Sequence, residues 1–321
     1  MQPRDLLAAL AAGAPLSGAE LARQLGLTRA AVWKQVEQLR EQGLPIKARR
    51  GAGYRLPWPV QLLDARLIRK HCAIEPGALE VHWSLDSTSS ECQRRASGLA
   101  DGSVILAETQ HAGRGRRGRH WLSPPGLNMY LSCLKRFDRG FAALSGLSLA
   151  VGVALVRALE AHGYAGIGLK WPNDVLVRDS GAKLAGILVE LSGEYQGPSA
   201  AVIGIGLNLR LPEVLRAQAG QAVADLAELG SEPPPDRNLL IGSVIDHLLK
   251  ALKTFDAHGF EAFLDDYAAR DLLRSRVLRL SDARGQFEAI GDGVDARGAL
   301  RVLRAGEPVL VDSADVTVRA S

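Results

Sequence analysis

The chain has 321 residues, 47% hydrophobic and 23% charged, with a net charge of +4. That length and balance exclude a fibrous or disordered polymer and provide for two or three globular units with a sizeable core. Its three cysteines, Cys72, Cys92 and Cys133, are odd in number and far apart, which argues against a disulfide framework or a zinc site and fits a reduced cytoplasmic setting.

The opening segment, MQPRDLLAALAAG, carries an acid and only a brief apolar run, unlike a secretory signal. Through Leu56 there are nine Lys/Arg against four Asp/Glu, an excess of +5, so the remaining 265 residues sum to −1. A separately basic unit of this size is an electrostatic footprint for nucleic acid. Leu6, Leu7 and Leu10 mark a first helix. Ser17 with Glu20 forms a capping-box pair that opens a second, stopped by Gly26. Thr28 caps a third, whose Val32, Val36 and Leu39 recur at four and three residues as one apolar stripe. Two capped helices joined by a tight turn, followed by the alternating basic run IKARRGAGYRL, predict a winged helix-turn-helix over residues 1–60. Thr28, Arg29, Lys34 and Gln35 lie off the apolar stripe and are expected at a major groove, with Arg49 and Arg50 on phosphates or in the minor groove. The same pattern also suits a small helical docking module.

PWPVQLL, from Pro57, reads as a stiff linker. Beyond it the apolar runs SVILAE, NMYLSCL, AGILVEL and AAVIGIGLNL alternate with helical stretches near 142–162 and 238–257, predicting a mixed α/β domain over 61–271. The longest uncharged stretch, Gly140 to Val156, is short for a bilayer span and holds Ser145 and Ser148, so a buried core helix is expected there. EPPPD at 232–236 reads as a surface loop. From Leu272 to the end, short strands punctuated by DARG at 282 and 295 and AGEP at 305 predict a small β-barrel-like domain over 272–321.

Residues 111–121 read HAGRGRRGRHW. Glycine allows close backbone approach and arginine's fork binds phosphate bidentately, so alternating them gives a loop able to wrap an anion. The repulsion among its arginines predicts a mobile loop that orders on binding. Trp121 offers a flat face to a ring. The composition also suits nonspecific RNA binding or a solvated charge run, and taken alone it does not choose among them. Other segments supply complementary groups: KWPNDVLV at 170–177, KLAGILVE at 183–190, GIGLNL at 204–209 and the hydroxyl cluster DSTSSE at 86–91.

The string QHAGRGRRGRHWLSPPGLNMYLS, followed in order by KWPNDVLV, KLAGILVEL and GIGLNL, closely resembles the biotin–protein ligases. Together with the amino-terminal helices it resembles their bifunctional branch, the ligase/repressors of the BirA family. The resemblance covers essentially the whole chain. It implies an α/β (α+β) multidomain fold: a winged helix-turn-helix, a central catalytic domain of the class II synthetase-like biotin ligase type, and a carboxy-terminal SH3-like barrel. It implies biotin and ATP as substrates, Mg2+ as a helper ion, and biotin carboxyl carrier protein and operator DNA as partners.

Carried over residue by residue, the resemblance assigns Ser87, Thr88, Ser89, Gln110, Arg114, Gly115, Arg116, Lys183, Gly186, Gly204 and Gly206 to biotin or its adenylate. Arg116, Arg119, Trp121, Asn173, Lys183 and Asn208 fall around the nucleotide, and Lys183, Arg116 and Asp174 at the reacting atoms. Two positions depart from the family pattern: Ser89 stands where asparagine is common, and His120 where lysine is frequent. The implied chemistry needs no enzyme nucleophile: biotin's carboxylate attacks the α-phosphate of ATP and a carrier lysine then attacks the mixed anhydride. A bound intermediate that favours a DNA-binding homodimer follows from the same resemblance. A ligand-sensing repressor without catalysis, and a lipoate or octanoate ligase, are the competing readings.

Overall fold

The computed structural model describes residues 3–230, 236–282, 285–312 and 317–320. Its amino-terminal unit comprises α1 (Pro3–Leu10), α2 (Gly18–Leu25), α3 (Arg29–Glu41) and a hairpin of β1 (Lys47–Arg49) and β2 (Gly53–Arg55). Each boundary has a local cause. Ser17 and Glu20 form the reciprocal capping box, Gly26 closes α2 at φ 63°, and Thr28 Oγ1 accepts the Ala31 N–H. Val32, Val36 and Leu39 are fully buried in one cluster with Leu6, Leu7, Leu10 and Leu21. The hairpin is anchored where Tyr54 exchanges backbone hydrogen bonds with Leu16. Gly53 is obligatory there, because an added Cβ falls 2.1 Å from the Leu16 carbonyl oxygen.

The linker is held by buried polar groups. Arg237 donates to the Gln61 carbonyl, to the Asn128 carbonyl and to Glu108 Oε2 at 2.7 Å, while the Leu63 N–H donates to the other Glu108 oxygen. Asn238 donates to the Leu62 carbonyl and accepts from the Asp64 N–H. With Arg237 7% and Glu108 4% exposed, this is a buried ion pair that satisfies the backbone of the segment joining the two units.

The central unit runs α4 (Ala65–Arg69), β3 (Leu79–Leu85), α5 (Thr88–Arg94), β4 (Val104–Gln110), β5 (Met129–Phe137), α6 (Leu147–Ala161), β6 (Ile167–Lys170), β7 (Asp174–Val177), β8 (Lys183–Gly193) and β9 (Ser199–Leu207). A single turn, α7 (Glu213–Arg216), then α8 (Arg237–His258) and α9 (Leu264–Arg270) complete it. One seven-stranded sheet has the order β3-β4-β5-β9-β8-β7-β6, parallel only between β3 and β4. The apolar segment Phe141–Ala161, long enough to cross a membrane by composition, is 67% buried and packs as a core helix. Of the loop expected at 232–236, Asp236 lies among the described residues and caps α8 through the Leu239 N–H.

The alternation of strand side chains decides which face is packed and which is open. Met129, Leu131 and Cys133 of β5 and Ala201, Ile203, Ile205 and Leu207 of β9 enter the main core with α6 and α8. Ile105, Leu134 and Val202 point the other way, onto Cys92 of α5. On that second face the register aligns Leu188, Gly204 and Ser132 in one row and Gly186, Gly206 and Tyr130 in the next. Three glycines and a serine leave it hollow.

The carboxy-terminal unit is an antiparallel sheet of β10 (Val277–Asp282), β11 (Gly285–Val294), β12 (Leu300–Arg304), β13 (Glu307–Val311) and β14 (Thr317–Ala320), ordered β13-β12-β11-β10-β14. Five antiparallel strands are what an SH3-like barrel requires. The turn expected at 282–285 lies partly outside the described residues, whereas those at 295 and 305 are present. Leu278, Leu280, Leu300 and Val302 share the main core, and Trp171 Nε1 donates to the Gly298 carbonyl at 3.0 Å, so this sheet is packed onto the central unit.

Candidate active site and DNA-facing surface

The hollow face of the sheet opens into a cavity. Ser87, Thr88, Ser89, Gln110, Arg114, Gly115, Arg116, Lys183, Gly186, Gly204 and Gly206, the eleven residues expected around biotin, all line it, together with Trp121 and Asn173. Residues from β4, α5, the glycine/arginine loop, β8 and β9 thus converge from separations of more than a hundred positions. Sequence reasoning missed Tyr130 and Leu188, which also line it, and Ser132 just beneath. The period-2 pattern of NMYLSCL would have found two of them, since Tyr130 and Ser132 alternate with the core residues Met129, Leu131 and Cys133.

At the deep end, Ser87 caps α5 and the next two residues begin it. Gln110 Oε1 accepts both the Thr88 N–H at 2.8 Å and the Thr88 hydroxyl at 3.2 Å. Ser132, fully buried on β5, lies 2.8 Å from Thr88 Oγ1 and 3.0 Å from Ser89 Oγ. On the other side Gln110 Nε2 donates to Ser123, whose hydroxyl donates to the Trp121 carbonyl. Ser87 therefore caps α5 and lines the cavity as well.

At the outer end, the indole of Trp121 is half-buried on the sheet. A Cβ added to Gly206 falls 2.4 Å from the indole ring, and one added to Gly186 falls 3.1 Å from it. The glycines read as room for a ligand are in part a seat for this ring. The indole N–H is buried and has no acceptor among the described residues. Lys183 Nζ sits 5.5 Å from the ring centroid and 2.7 Å from Asp174 Oδ1. The Lys183–Asp174 contact is a close ion pair without hydrogen-bond alignment, since that oxygen is buried and makes no hydrogen bond of acceptable angle. Lys183 is fixed as the first residue of β8, its backbone paired with Ala222 and Ala224.

The glycine/arginine loop is folded here as a hairpin. Gly115 N–H donates to the Arg119 carbonyl, Arg114 bridges to His120, and Arg117 turns the chain at φ 58° next to Gly118. Two of its arginines have partners: Arg114 pairs with Glu190 at 3.0 Å, while Arg116 reaches inward to Asn173 Oδ1 at 3.3 Å. Burial, then the charge of Arg117, holds the Arg116 guanidinium below its ordinary value. Asn173 spends its amide nitrogen on the Ile187 carbonyl, so it braces the turn and positions Arg116.

Three expected residues lie apart from the cavity wall. Arg119 is exposed on the outside of the hairpin. Asn208 is buried, donating to the Ala224 and Lys183 carbonyls, and so supports Lys183 from behind. Asp174 faces Lys183 rather than the cavity. Among the described residues no cluster of three His, Cys, Asp or Glu side chains is placed to hold a metal ion.

On the amino-terminal unit Thr28, Arg29, Lys34, Arg49 and Arg50 are exposed, as a DNA-facing surface requires. Gln35 is not: it is half-buried with its Oε1 buried, because it falls on the flank of the apolar stripe. Trp33, not singled out by its sequence context, is 58% exposed on α3, one turn after Arg29.

This architecture, a hydroxyl- and arginine-lined cavity on a mixed sheet preceded by a winged helix-turn-helix, defines an acyl-activating ligase fused to a DNA-binding module. Residues 83–208 match the Biotin/lipoate A/B protein ligase family and residues 4–55 an HTH domain. The chain is 38% identical over 298 residues to the bifunctional ligase/repressor BirA of Salmonella typhimurium, covering 93% of this chain and 91% of that protein. The Escherichia coli BirA gives the same identity and coverage. The biotin protein ligase of Aquifex aeolicus, solved in complex with biotin and ATP, superposes with a TM-score of 0.63 at 26% identity, over 76% of this chain and 99% of that one. The chain belongs to the BirA family of bifunctional ligase/repressors.

Proposed function

We propose that this protein activates biotin with ATP to biotinyl-5′-AMP, transfers the biotinyl group to a lysine of biotin carboxyl carrier protein, and represses transcription of biotin genes as a ligand-promoted homodimer in the cytoplasm. The observation that carries the first part is the convergence of all eleven expected biotin residues on one cavity, with Trp121, Arg116 and Lys183 at its outer end. In this reading residues 1–60, 61–271 and 272–321 are the DNA-binding, catalytic and SH3-like units.

A carboxylate oxygen of biotin attacks the α-phosphorus of ATP and pyrophosphate leaves with the P–O bonding pair. The acceptor amine then attacks the anhydride carbonyl, AMP leaves, and the amine loses a proton. Both steps bring anions or dipoles together in a confined site, so positioning and charge stabilisation do the work. Lys183 meets the carboxylate and phosphate oxygens, held in place by Asp174 and Asn208. Arg116, aimed inward by Asn173, neutralises charge on the phosphoryl group. Trp121 supplies a face for adenine, and the hairpin keeps water from the anhydride. The residues fit Mg2+ only as an ion carried by the nucleotide, since among the described residues no carboxylate cluster is placed to hold one and Asp174 is already paired with Lys183. When bound it shields phosphate charge.

Incubating the protein with ATP, Mg2+, biotin and apo carrier should raise the carrier's mass by one biotinyl group; an unchanged mass refutes the ligase. A ligand-sensing repressor would bind biotin and DNA yet release no pyrophosphate. A lipoate or octanoate ligase would let lipoate compete with biotin. Sedimentation with and without biotinyl-AMP tests the homodimer, equal mass in both states counting against it.

A further inference from the structure

The hydroxyls at the deep end of the cavity form a relay whose direction is fixed by one group that has no choice. A backbone N–H only donates, so Thr88 N–H sets the Gln110 amide with Oε1 facing α5. That oxygen only accepts, so the Thr88 hydroxyl donates to it. The Ser132 hydroxyl then donates to Thr88 Oγ1, at 2.8 Å. With its proton spent, Ser132 Oγ is the acceptor in its 3.0 Å contact with Ser89, whose proton is spent in turn. Ser89 lines the cavity with its oxygen close over Gly204, where an added Cβ falls 2.7 Å away. What it presents to a ligand is lone pairs alone. Ser87 is the opposite case: its oxygen accepts the Ser90 N–H as the cap of α5, which leaves its own proton for a ligand acceptor.

We infer that Ser132 is a positioning residue that makes Ser89 an obligate acceptor, so that the deep end selects a head group bearing an N–H beside a carbonyl and rejects one without the N–H. The inference rests on the ligase reading of the same cavity and deepens it, since it names the ligand atom that decides between a cyclic urea and an acid with an apolar or dithiolane end. Ser132 touches no ligand itself. It acts through Ser89, by occupying the one proton that would otherwise let that hydroxyl rotate and donate. Filling the cavity with a head group that offers a lone pair to Ser89 sets acceptor against acceptor in a buried site, where an unmade hydrogen bond is costly.

The test uses biotin and its two cyclic carbamate analogues, in which one or other ureido N–H is replaced by a ring oxygen of nearly the same size. Full-length protein is assayed for pyrophosphate release from ATP with each acid. The wild type prefers biotin over at least one analogue by on the order of a hundredfold. Ser132→Ala lowers that ratio about tenfold, because Ser89 regains a free proton to offer the ring oxygen. Ser132→Thr, which keeps the hydroxyl, restores most of it, an outcome that loss of packing alone does not give. Ser89→Ala removes the acceptor itself and lowers the ratio similarly, and it carries the test should Ser132→Ala fail to fold. Equal use of all three acids by the wild type, or a ratio unmoved by the variants, overturns the inference. Absence of pyrophosphate with every acid overturns the ligase reading instead, so the two failures are told apart.

Discussion

Alanine at Gly206 places a methyl 2.4 Å from the nearest indole atom of Trp121, with two more at 2.6 and 2.7 Å. Carbon atoms in contact rest at about 3.5–4.0 Å, so the ring must retreat by roughly 1 Å or swing away. It has somewhere to go, being half-buried with an open outer face, so the fold loses only about 1 kcal/mol or less. The function loses more. A ring–base stack is worth about 1–3 kcal/mol, which becomes roughly five- to 150-fold in nucleotide affinity. The assay is steady-state adenylation over a range of ATP concentrations, with release of preformed biotinyl-AMP followed in parallel. Gly206→Ala should raise the KM for ATP and hasten release while leaving the KM for biotin much less affected. Gly204→Ala, two residues along the same strand, meets Ser89 Oγ at 2.7 Å and should do the reverse. Wild-type ATP dependence and adenylate retention in Gly206→Ala would refute the seat for Trp121. Identical effects of the two substitutions would refute the division of the cavity into two ends.

Arg237→Met leaves Glu108 buried beside the linker without its cation and should cost about 3–5 kcal/mol in denaturant unfolding; a loss below about 1 kcal/mol would mean that the pair is dispensable. Asp86 is held down to about 2 from an ordinary 3.8, chiefly by its hydrogen bonds to Arg94. A depressed carboxyl stabilises the fold above its unfolded value and loses that contribution as the pH falls from about 3.8 to about 2. The melting temperature of Asp86→Asn should therefore lie below wild type at pH 6 and converge with it near pH 2, and a difference independent of pH would exclude this origin. Trp33→Ala should weaken sequence-specific DNA binding by about 1–3 kcal/mol while preserving the salt dependence of nonspecific binding, as measured by titration of labelled operator and random duplexes. Equal weakening on both duplexes would place Trp33 outside base recognition.

Much of the fold was legible because its causes are local. The capping box at Ser17 and Glu20, the stop at Gly26 and the Val32/Val36/Leu39 stripe are each decided within a few residues, and each appears where the pattern puts it. Gln35 shows the limit of that reasoning: three and four residues share a helix face, but how far round the buried arc extends depends on what packs against it. The hairpin at 113–121 is a second case. The repulsion among its arginines is legible in the sequence, but their partners Glu190 and Asn173 are not, because they lie more than fifty residues further on. The alternation of NMYLSCL puts Ser132 on the open face of its strand, but what it does there is unreadable until its partners Thr88 and Ser89, more than forty residues away, are known.

The order of residues by itself determined the class of the protein: a basic helix-turn-helix unit, an α/β centre and a strand-rich end, with hydroxyls, arginines, glycines and a lysine at the places that matter. It did so because capping, turns and hydrophobic period act over short stretches of chain. Only the tertiary structure decided what those residues do to one another, that Gly186 and Gly206 seat an indole, that Asp174 holds Lys183, and that Thr88 sets the sense of four hydrogen bonds. Strand pairing brings together positions more than a hundred residues apart, and a hydrogen bond's direction belongs to the assembled network rather than to any side chain within it.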